Sequence, residues 1–200
     1  TTPFKLAVRR AIDRTDRHAV ETTWFYSLGF PGRPDLARDE NREGMIVDRQ
    51  HRSVRATPEQ AFAQIERLGG VAGWPSGNVL WRVRGLLDRM VGGPGMRLGR
   101  RDPQHVRVGD AVDFWRVEEV RPGELLRLRA EMKVPGRAWL QYETVPSSAG
   151  TRIVQTAFFE PRGLSGRLYW YLLLPIHMAI FRGSVREIAR RAEASASRPS

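Results

Sequence analysis

Four short predicted strands followed by one long amphipathic helix dominate the second half of the sequence. Alternating apolar and polar residues, separated by turn residues such as Arg121-Pro122-Gly123 and Pro135-Gly136, indicate the strands. The predicted strands are 111–120, 125–134, 137–145 and 151–160. Strands joined by such short turns form an antiparallel meander. A curved meander needs a cover on its concave face, and the helix that we predict from Leu164 onward can supply it.

The C-terminal helix is predicted from a 4-3-4-3-4 spacing of apolar residues, with arginines on the opposite side. This apolar stripe is Leu174, Met178, Phe181, Val185, Ile188 and Ala192. Pro175 removes one backbone donor, so we expect a kink or a break into two helices there. A helix clasped by a bent meander leaves space between the two for a ligand.

A strand and two helices are predicted ahead of the meander. The polar segment 45–56 indicates an edge strand. Thr57, Pro58 and Gln60 form a capping-box pattern that predicts a helix start, and Gly69-Gly70 predicts its end. A second helix is expected to run as far as Met90. The predicted class is α+β, with a curved antiparallel sheet wrapped around the long C-terminal helix.

Composition predicts three parts in the chain. Residues 1–44 indicate a short helix and a Gly- and Pro-rich linker, 45–194 the main domain, and 195–200 a disordered tail. The first residues are charged and show no apolar signal segment, and the longest apolar run, 168–181, is too short to cross a bilayer. With no cysteine in 200 residues, we expect a cytoplasmic protein.

The net charge of +11 suggests nucleic acid at first, but its distribution does not favour it. The sheet-forming stretch 108–161 has seven basic and eight acidic residues, whereas 162–200 has seven basic and two acidic ones. Nucleic-acid surfaces interleave basic and exposed aromatic residues or show a reading motif, and neither occurs here. We therefore expect no nucleic-acid partner.

Several stretches of the main domain have a distinctive sequence. They are Gly69-Gly70 with Gly73-Trp74, Leu80-Trp81-Arg82, and residues 84–89, 109–117, 126–133, 135–140, 155–159 and 168–171. In these stretches the sequence resembles an uncharacterised bacterial family of START-like and polyketide-cyclase-like domains, which share the helix-grip fold. The resemblance covers about 45–192.

Members of that family often follow a short-chain-dehydrogenase-like NAD(P)-binding domain. The resemblance implies association with such a domain as a partner, and it supplies no established catalytic residues. The strand, glycine turn and helix of a nucleotide-binding half are not present in this sequence, because the glycines at 92–95 follow a predicted helix. We expect no cofactor.

Aromatic and polar residues of the main domain are the candidates for lining a cavity. The ligand-binding candidates are Trp74, Trp81, Asp113, Trp115, Met132, Tyr142, Phe158 and His177. The aromatic ones are equally what the core of such a domain needs. The four histidines, at 18, 51, 105 and 177, do not have metal-ligand spacing, so no metal site is predicted.

Three ionisable residues have both a functional and a structural interpretation. Asp113 shares a predicted strand face with Trp115; if it points inward, burial raises its pKa and it can act as an acid or base. His177 could orient a ligand or simply be a half-buried histidine with local contacts. Glu131 is expected to pair with charged neighbours across the sheet.

Three functions remain open from the sequence. The first is a domain that binds a hydrophobic or amphipathic small molecule, serving a dehydrogenase-like partner. The second is a cyclase- or hydratase-type enzyme that uses Asp113, His177 or Tyr142 in the same cavity. The third is a peripheral protein whose basic last helix and residues 169–171 touch an anionic membrane surface.

Overall fold

A six-stranded antiparallel sheet and one long helix form most of the described chain. The computed structural model describes residues 44–70, 73–76, 85–86, 89–90, 92 and 100–197. The elements are β1 Ile46–Val54, α1 Pro58–Glu66, β2 Ala111–Val112, β3 Trp115–Arg121, β4 Leu125–Ala130, β5 Gly136–Ser147, β6 Gly150–Pro161 and α2 Gly163–Ala196. The predicted second helix lies mostly outside these residues, although 85–86 and 89–90 are helical. The predicted appendage 1–44 lies outside them except for Gly44.

The strands form one sheet in the order β1-β6-β5-β4-β3-β2. Consecutive hairpins join β3 to β6, and β1 returns to pair along β6 as an edge strand. Helix α2 packs against β1, β6 and α1. The curved sheet with its long C-terminal helix confirms the predicted helix-grip architecture.

The inner face of the sheet, defined as the face toward α2, holds the main core. It carries Leu128 of β4, Leu140 and Tyr142 of β5, and Ile153 and Phe159 of β6, all nearly inaccessible to solvent. Because side chains alternate along a strand, Trp139 and Phe158 lie on the outer face, where they pack with Met45. The sheet is therefore apolar in part on both faces.

The predicted strand 111–120 is wrong, because the chain reverses within it. Ala111 and Val112 pair with Arg116 and Trp115 in a hairpin that leaves only two residues, Asp113 and Phe114, in the turn. Asp113 has φ +56°, a left-handed conformation that Asp tolerates better than most residues. Asp113 therefore lies at a turn and does not share a strand face with Trp115.

Helix α2 differs from its prediction at two places. It runs without interruption through Pro175, and it continues to Ala196, two residues into the predicted tail. Pro175 lies on the exposed side of the helix, where the carbonyl oxygen that loses its amide donor can reach water. Near its C-terminus, Ala192 is fully buried in the core, which holds the last turns in place.

The start of α1 is the clearest case of local sequence control. The hydroxyl of Thr57 accepts a hydrogen bond from the Gln60 amide at 3.3 Å, and the Gln60 side chain accepts one from the Thr57 amide at 3.0 Å. Pro58 occupies the first turn, where its missing N–H costs nothing. Ala61, Phe62 and Ile65 then bury the inner side of the helix.

We expect Thr57→Ala to lower the free energy of unfolding by about 1 kcal/mol, because the first turn of α1 loses its side-chain acceptor. Thr57→Ser keeps the hydroxyl and is the matched control, with stability close to that of the unchanged chain. Urea denaturation followed by circular dichroism measures both. Equal stability of the Ala and Ser variants would show that the capping box contributes nothing.

Candidate functional site

The carboxylate of Asp113 is the most deeply buried charge-bearing group at the β2–β3 end of the sheet. The tight turn directs it inward, and the residue is 0% exposed. Its Oδ2 accepts a hydrogen bond from the indole Nε1 of Trp74 at 2.7 Å. The backbone amide of Gly70 lies 3.4 Å from both carboxylate oxygens. Asp113 thus ties the segment after α1 to the β2–β3 turn.

Burial has the largest effect on the pKa of Asp113. Loss of solvation raises the pKa of Asp113, while the hydrogen bonds from Trp74 and Gly70 and the positive charge of Arg100 oppose that rise. Burial has the opposite effect on Arg100 and lowers the pKa of its guanidinium group. The Nη1 of Arg100 donates a hydrogen bond to the Leu68 carbonyl oxygen at 2.9 Å. The sequence left the direction of Asp113 open, and the structure places its carboxyl group inside the core.

Three aromatic rings cluster at the Asp113 turn. The ring centroids of Trp74 lie 6.3 Å from Phe114 and 6.2 Å from Trp115, and those of Phe114 and Trp115 are 5.5 Å apart. All three residues are buried. The structure therefore brings three predicted site residues, Trp74, Asp113 and Trp115, into one buried cluster.

Two glycines permit this close packing. A Cβ at Gly69, whose φ is +75°, would lie 2.6 Å from Val112 Cγ1 and 2.9 Å from Asp113 Oδ2. A Cβ at Gly70 would lie 2.8 Å from the Arg100 side chain. Gly69-Gly70, which the sequence indicates only as a helix stop, is also the surface on which Asp113 and Arg100 pack. The cluster has the features of a structural anchor.

Tyr142 and Gln155 supply polar groups at the centre of the inner face. The hydroxyl of Tyr142 lies 3.4 Å from Ser184 Oγ on α2, and burial raises the pKa of this phenol, so it stays protonated. Gln155, opposite Tyr142 on β6, is 1% exposed, and its Oε1 has no hydrogen-bond partner among the residues that the structure describes. This amide is a polar group that the sequence analysis did not select.

His177 lies between two rings on the inner side of α2. Its imidazole is 5.4 Å from the Trp170 ring and 5.5 Å from the Phe181 ring, by centroids. The residue is half-buried. Trp170 stacks in turn on Phe159 of β6 at 5.3 Å, which fixes this part of α2 on the sheet.

The remaining candidates fall in different places. Met132 is half-buried and packs against the main core just beyond β4. Trp81 lies outside the described residues. Phe158 points to the outer face with Trp139, so the prediction that it lines a cavity beside Tyr142 is wrong. In the run Ala157-Phe158-Phe159, the inward residues are Ala157 and Phe159.

The outer face of β3 to β5 carries a buried ionic network. Arg116 makes a two-pronged contact with Glu131, at 2.9 and 3.1 Å. Arg127 donates to Glu119 and to Gln141, each at 2.8 Å. The Arg116 and Glu131 side chains are 9% and 8% exposed. Glu131 therefore pairs across the sheet as expected, but in a buried setting.

Glu118 continues this network beside the outer aromatic pair. Its Oε2 accepts from the Trp139 indole at 3.0 Å, and its Oε1 lies 2.9 Å from Arg129 Nε. Burial raises the pKa of Glu118, and the positive charge of Arg129 opposes that rise. A more open polar groove of about 310 Å³ lies further along the same face, lined by Arg49, His51, Glu143, Arg152 and Val154.

Both the sequence and the fold of this chain are similar to those of known proteins. The family model described as "Protein of unknown function (DUF2867)" matches residues 43–184. The chain belongs to the DUF2867 family. No curated protein matches its sequence. In the described part of this DUF2867 chain, no helix has the length and hydrophobicity needed to span a membrane.

Among solved structures, this DUF2867 chain is similar to protein CV1439 from Chromobacterium violaceum, with 17% identity, a TM-score of 0.42 and coverage of 74% of this chain and 97% of that one. It is similar to norcoclaurine synthase from Thalictrum flavum at 11% identity, TM-score 0.46, covering 78% and 96%. It is also similar to the di-domain ARO/CYC StfQ of the steffimycin pathway, at 14% identity and TM-score 0.48. Here 86% of this chain spans 64% of StfQ, less than two thirds of its length. At these identities the likeness concerns the fold alone.

We expect Asp113→Ala to lower the free energy of unfolding by roughly 2 kcal/mol, because it leaves the buried Trp74 indole without its acceptor. Asp113→Asn is the matched control, since Asn tolerates the left-handed conformation and keeps one acceptor oxygen. Urea denaturation followed by tryptophan fluorescence compares the two. An Ala variant as stable as the Asn variant would contradict an anchoring role.

The raised pKa of Asp113 also predicts a pH dependence. The folded chain holds this proton to higher pH than the unfolded chain, whose carboxyl titrates near 3.8. The free energy of unfolding therefore falls as pH rises from about 3.8 through the raised pKa. Asp113→Asn lacks this component, so its stability relative to the unchanged chain should increase with pH across that window. Denaturation curves at a series of pH values test this; a difference that stays constant with pH would rule it out.

Proposed function

We propose that this DUF2867 chain is a binding domain for a hydrophobic or amphipathic small molecule, held between α2 and the inner face of the sheet. The observation that carries the proposal is a set of half-buried apolar side chains that pack on the main core, two of them on the first half of α2. We call this set the seam. The seam residues are Ala130, Met132, Val134, Ala138, Tyr169 and Leu174.

The seam combines apolar contact area with access from solvent, which is what a small apolar ligand requires. Fully buried neighbours such as Leu128 and Leu140 give it a rigid base. His177, also half-buried, adds a polar group beside Leu174 on the same helix. A ligand lying here would cover apolar surface at about 25 cal/mol per Å² buried.

Gln155 supports an amphipathic ligand in preference to a pure hydrocarbon. A buried amide oxygen without a partner costs on the order of 1–3 kcal/mol, and a ligand group reaching the inner face could satisfy it. A hydroxyl group can pair with the amide of Gln155 in either orientation, because it both donates and accepts. Tyr142, opposite Gln155, already lies 3.4 Å from Ser184 Oγ, so Gln155 is the group that we assign to the ligand.

The cyclase or hydratase alternative finds less support. Asp113 is fully enclosed, and its oxygens accept from an indole and a backbone amide. Tyr142 contacts Ser184, while His177 stacks on Phe181 and is tilted by 51° against the Trp170 ring. The three groups are thus engaged with different partners, and an acid or base must first reach its substrate.

We further propose that the domain serves a dehydrogenase-like NAD(P)-binding partner in the bacterial cytoplasm. The support is the resemblance of stretches such as 109–117 and 126–133 to domains found behind such partners. Affinity purification of the tagged chain from its own cells tests this. Recovery of an NAD(P)-binding protein in stoichiometric amount is the expected result, and its repeated absence would remove the partner from the proposal.

Filling the seam should abolish ligand binding. We expect Ala138→Phe to reduce saturable binding of the apolar fluorescent probe anilinonaphthalene sulfonate by more than about tenfold, because the added ring occupies the seam. Ala149→Phe places the same ring at the exposed β5–β6 turn and is the matched control. Fluorescence titration measures binding, and thermal unfolding verifies that both variants fold.

A second variant protects this test against misfolding of the first. Met132→Glu puts a charge at the half-buried edge of the seam and should weaken probe binding in the same direction. If both seam variants bind the probe as tightly as Ala149→Phe does, the seam is not a ligand site.

A further inference from the structure

Helix α2 carries a second apolar face that the sheet does not cover. Five large apolar residues on its first half are exposed. They are Leu164 at 82%, Leu168 at 67%, Tyr171 at 62%, Leu172 at 73% and Ile176 at 42%. Their successive spacings of four, three, one and four residues place them on one side of the helix, together with exposed Pro175. We call this side the outer face of α2.

The outer face is distinct from the face that binds the sheet. Gly166, Trp170 and Phe181 are buried and lie on the opposite side of the helix from Leu168 and Leu172. Monomeric soluble proteins rarely expose a continuous apolar surface of this kind, so its presence marks an interaction site. From Leu164 to Ile176 it is about 18 Å long, at ~1.5 Å per residue.

Within the described segment of α2 that carries this apolar surface, the charged residues are all arginines. The segment from Arg162 to Arg186 contains four arginines and no Asp or Glu. Arg162 and Arg167 are exposed at the N-terminal end of α2, and exposed Arg182 and Arg186 continue the outer face toward the C-terminus. The surface is therefore apolar at its centre and positively charged at both ends.

This charge pattern selects the kind of partner. Two copies of the chain that paired through this face would bring arginines toward arginines, which disfavours a dimer. An anionic lipid surface fits both features, because apolar side chains enter the headgroup–acyl boundary while guanidinium groups meet phosphates. We propose that the outer face of α2 docks this protein on an anionic membrane surface.

Co-sedimentation with lipid vesicles tests the proposal on the full chain. We expect binding to phosphatidylcholine vesicles that contain phosphatidylglycerol, weaker binding to phosphatidylcholine alone, and loss of the difference at high salt, where screening shortens to about 3 Å. Arg182→Gln with Arg186→Gln should weaken binding to the anionic vesicles by about fivefold per arginine. Absence of binding to the anionic vesicles would overturn the proposal.

The apolar contribution needs its own variant. Leu168→Gln with Leu172→Gln should reduce binding to anionic vesicles by more than about tenfold, because two leucines no longer enter the lipid. Val108→Gln with Val145→Gln changes two exposed apolar residues elsewhere and is the matched control. All four positions are exposed, so folding should be preserved, which thermal unfolding verifies.

Two outcomes of this comparison count against the lipid surface. The first is a leucine variant that co-sediments like its control, since the outer face would then not be the part that binds. The second is a concentration-dependent dimer in analytical ultracentrifugation that disappears in the leucine variant. That result would assign the face to a second copy of the chain.

Discussion

A helix that lies on a single sheet can bury only one of its faces, and the first half of α2 is apolar on two. Its inner side is held by Trp170 stacked on Phe159 and by Phe181 in the core. This arrangement leaves Leu168 and Leu172 in water on the other side of the helix. Both proposals follow from this constraint. The sheet supplies a rigid partner for one face, and something outside the described core must supply the partner for the second.

Asp113 shows how the other end of the core is closed. Burying a carboxylate is costly, and the rise in its pKa reflects that cost. The compensation is structural: the Trp74 indole and the Gly70 amide fasten the segment after α1 to the β2–β3 turn. The left-handed backbone at Asp113 adds strain that the surrounding rings hold in place. A residue under these constraints serves packing, and ligand chemistry is better sought along the seam.

Sequence pattern predicts the elements well where local chemistry sets them, as at the Thr57 capping box and the glycine- and proline-bearing hairpin turns. Sequence pattern does not predict the turn at Asp113-Phe114, because this turn contains no glycine, proline or asparagine. It also fails for Phe158, because three consecutive apolar residues, 157–159, give no alternation from which to choose a face. Alternation assigns Arg127 to the outer face correctly, but it cannot show that this face is buried. Sequence pattern also does not separate the exposed outer face of α2 from its inner face, because the run 168–181 is mostly apolar around the whole helix.

Pro175 limits how α2 can meet a lipid surface. Proline has no amide hydrogen, so the carbonyl oxygen of Tyr171, one turn earlier, lacks its helical donor on the exposed side of the helix. In the hydrocarbon core of a bilayer such an oxygen would remain unsatisfied at a cost of several kcal/mol. In the interfacial layer, water and headgroups can donate to it. The same helix therefore combines leucines that favour burial in lipid with a carbonyl oxygen that needs a hydrogen-bond donor from water or a headgroup. A helix built in this way is suited to lying at the interface with its axis parallel to the surface.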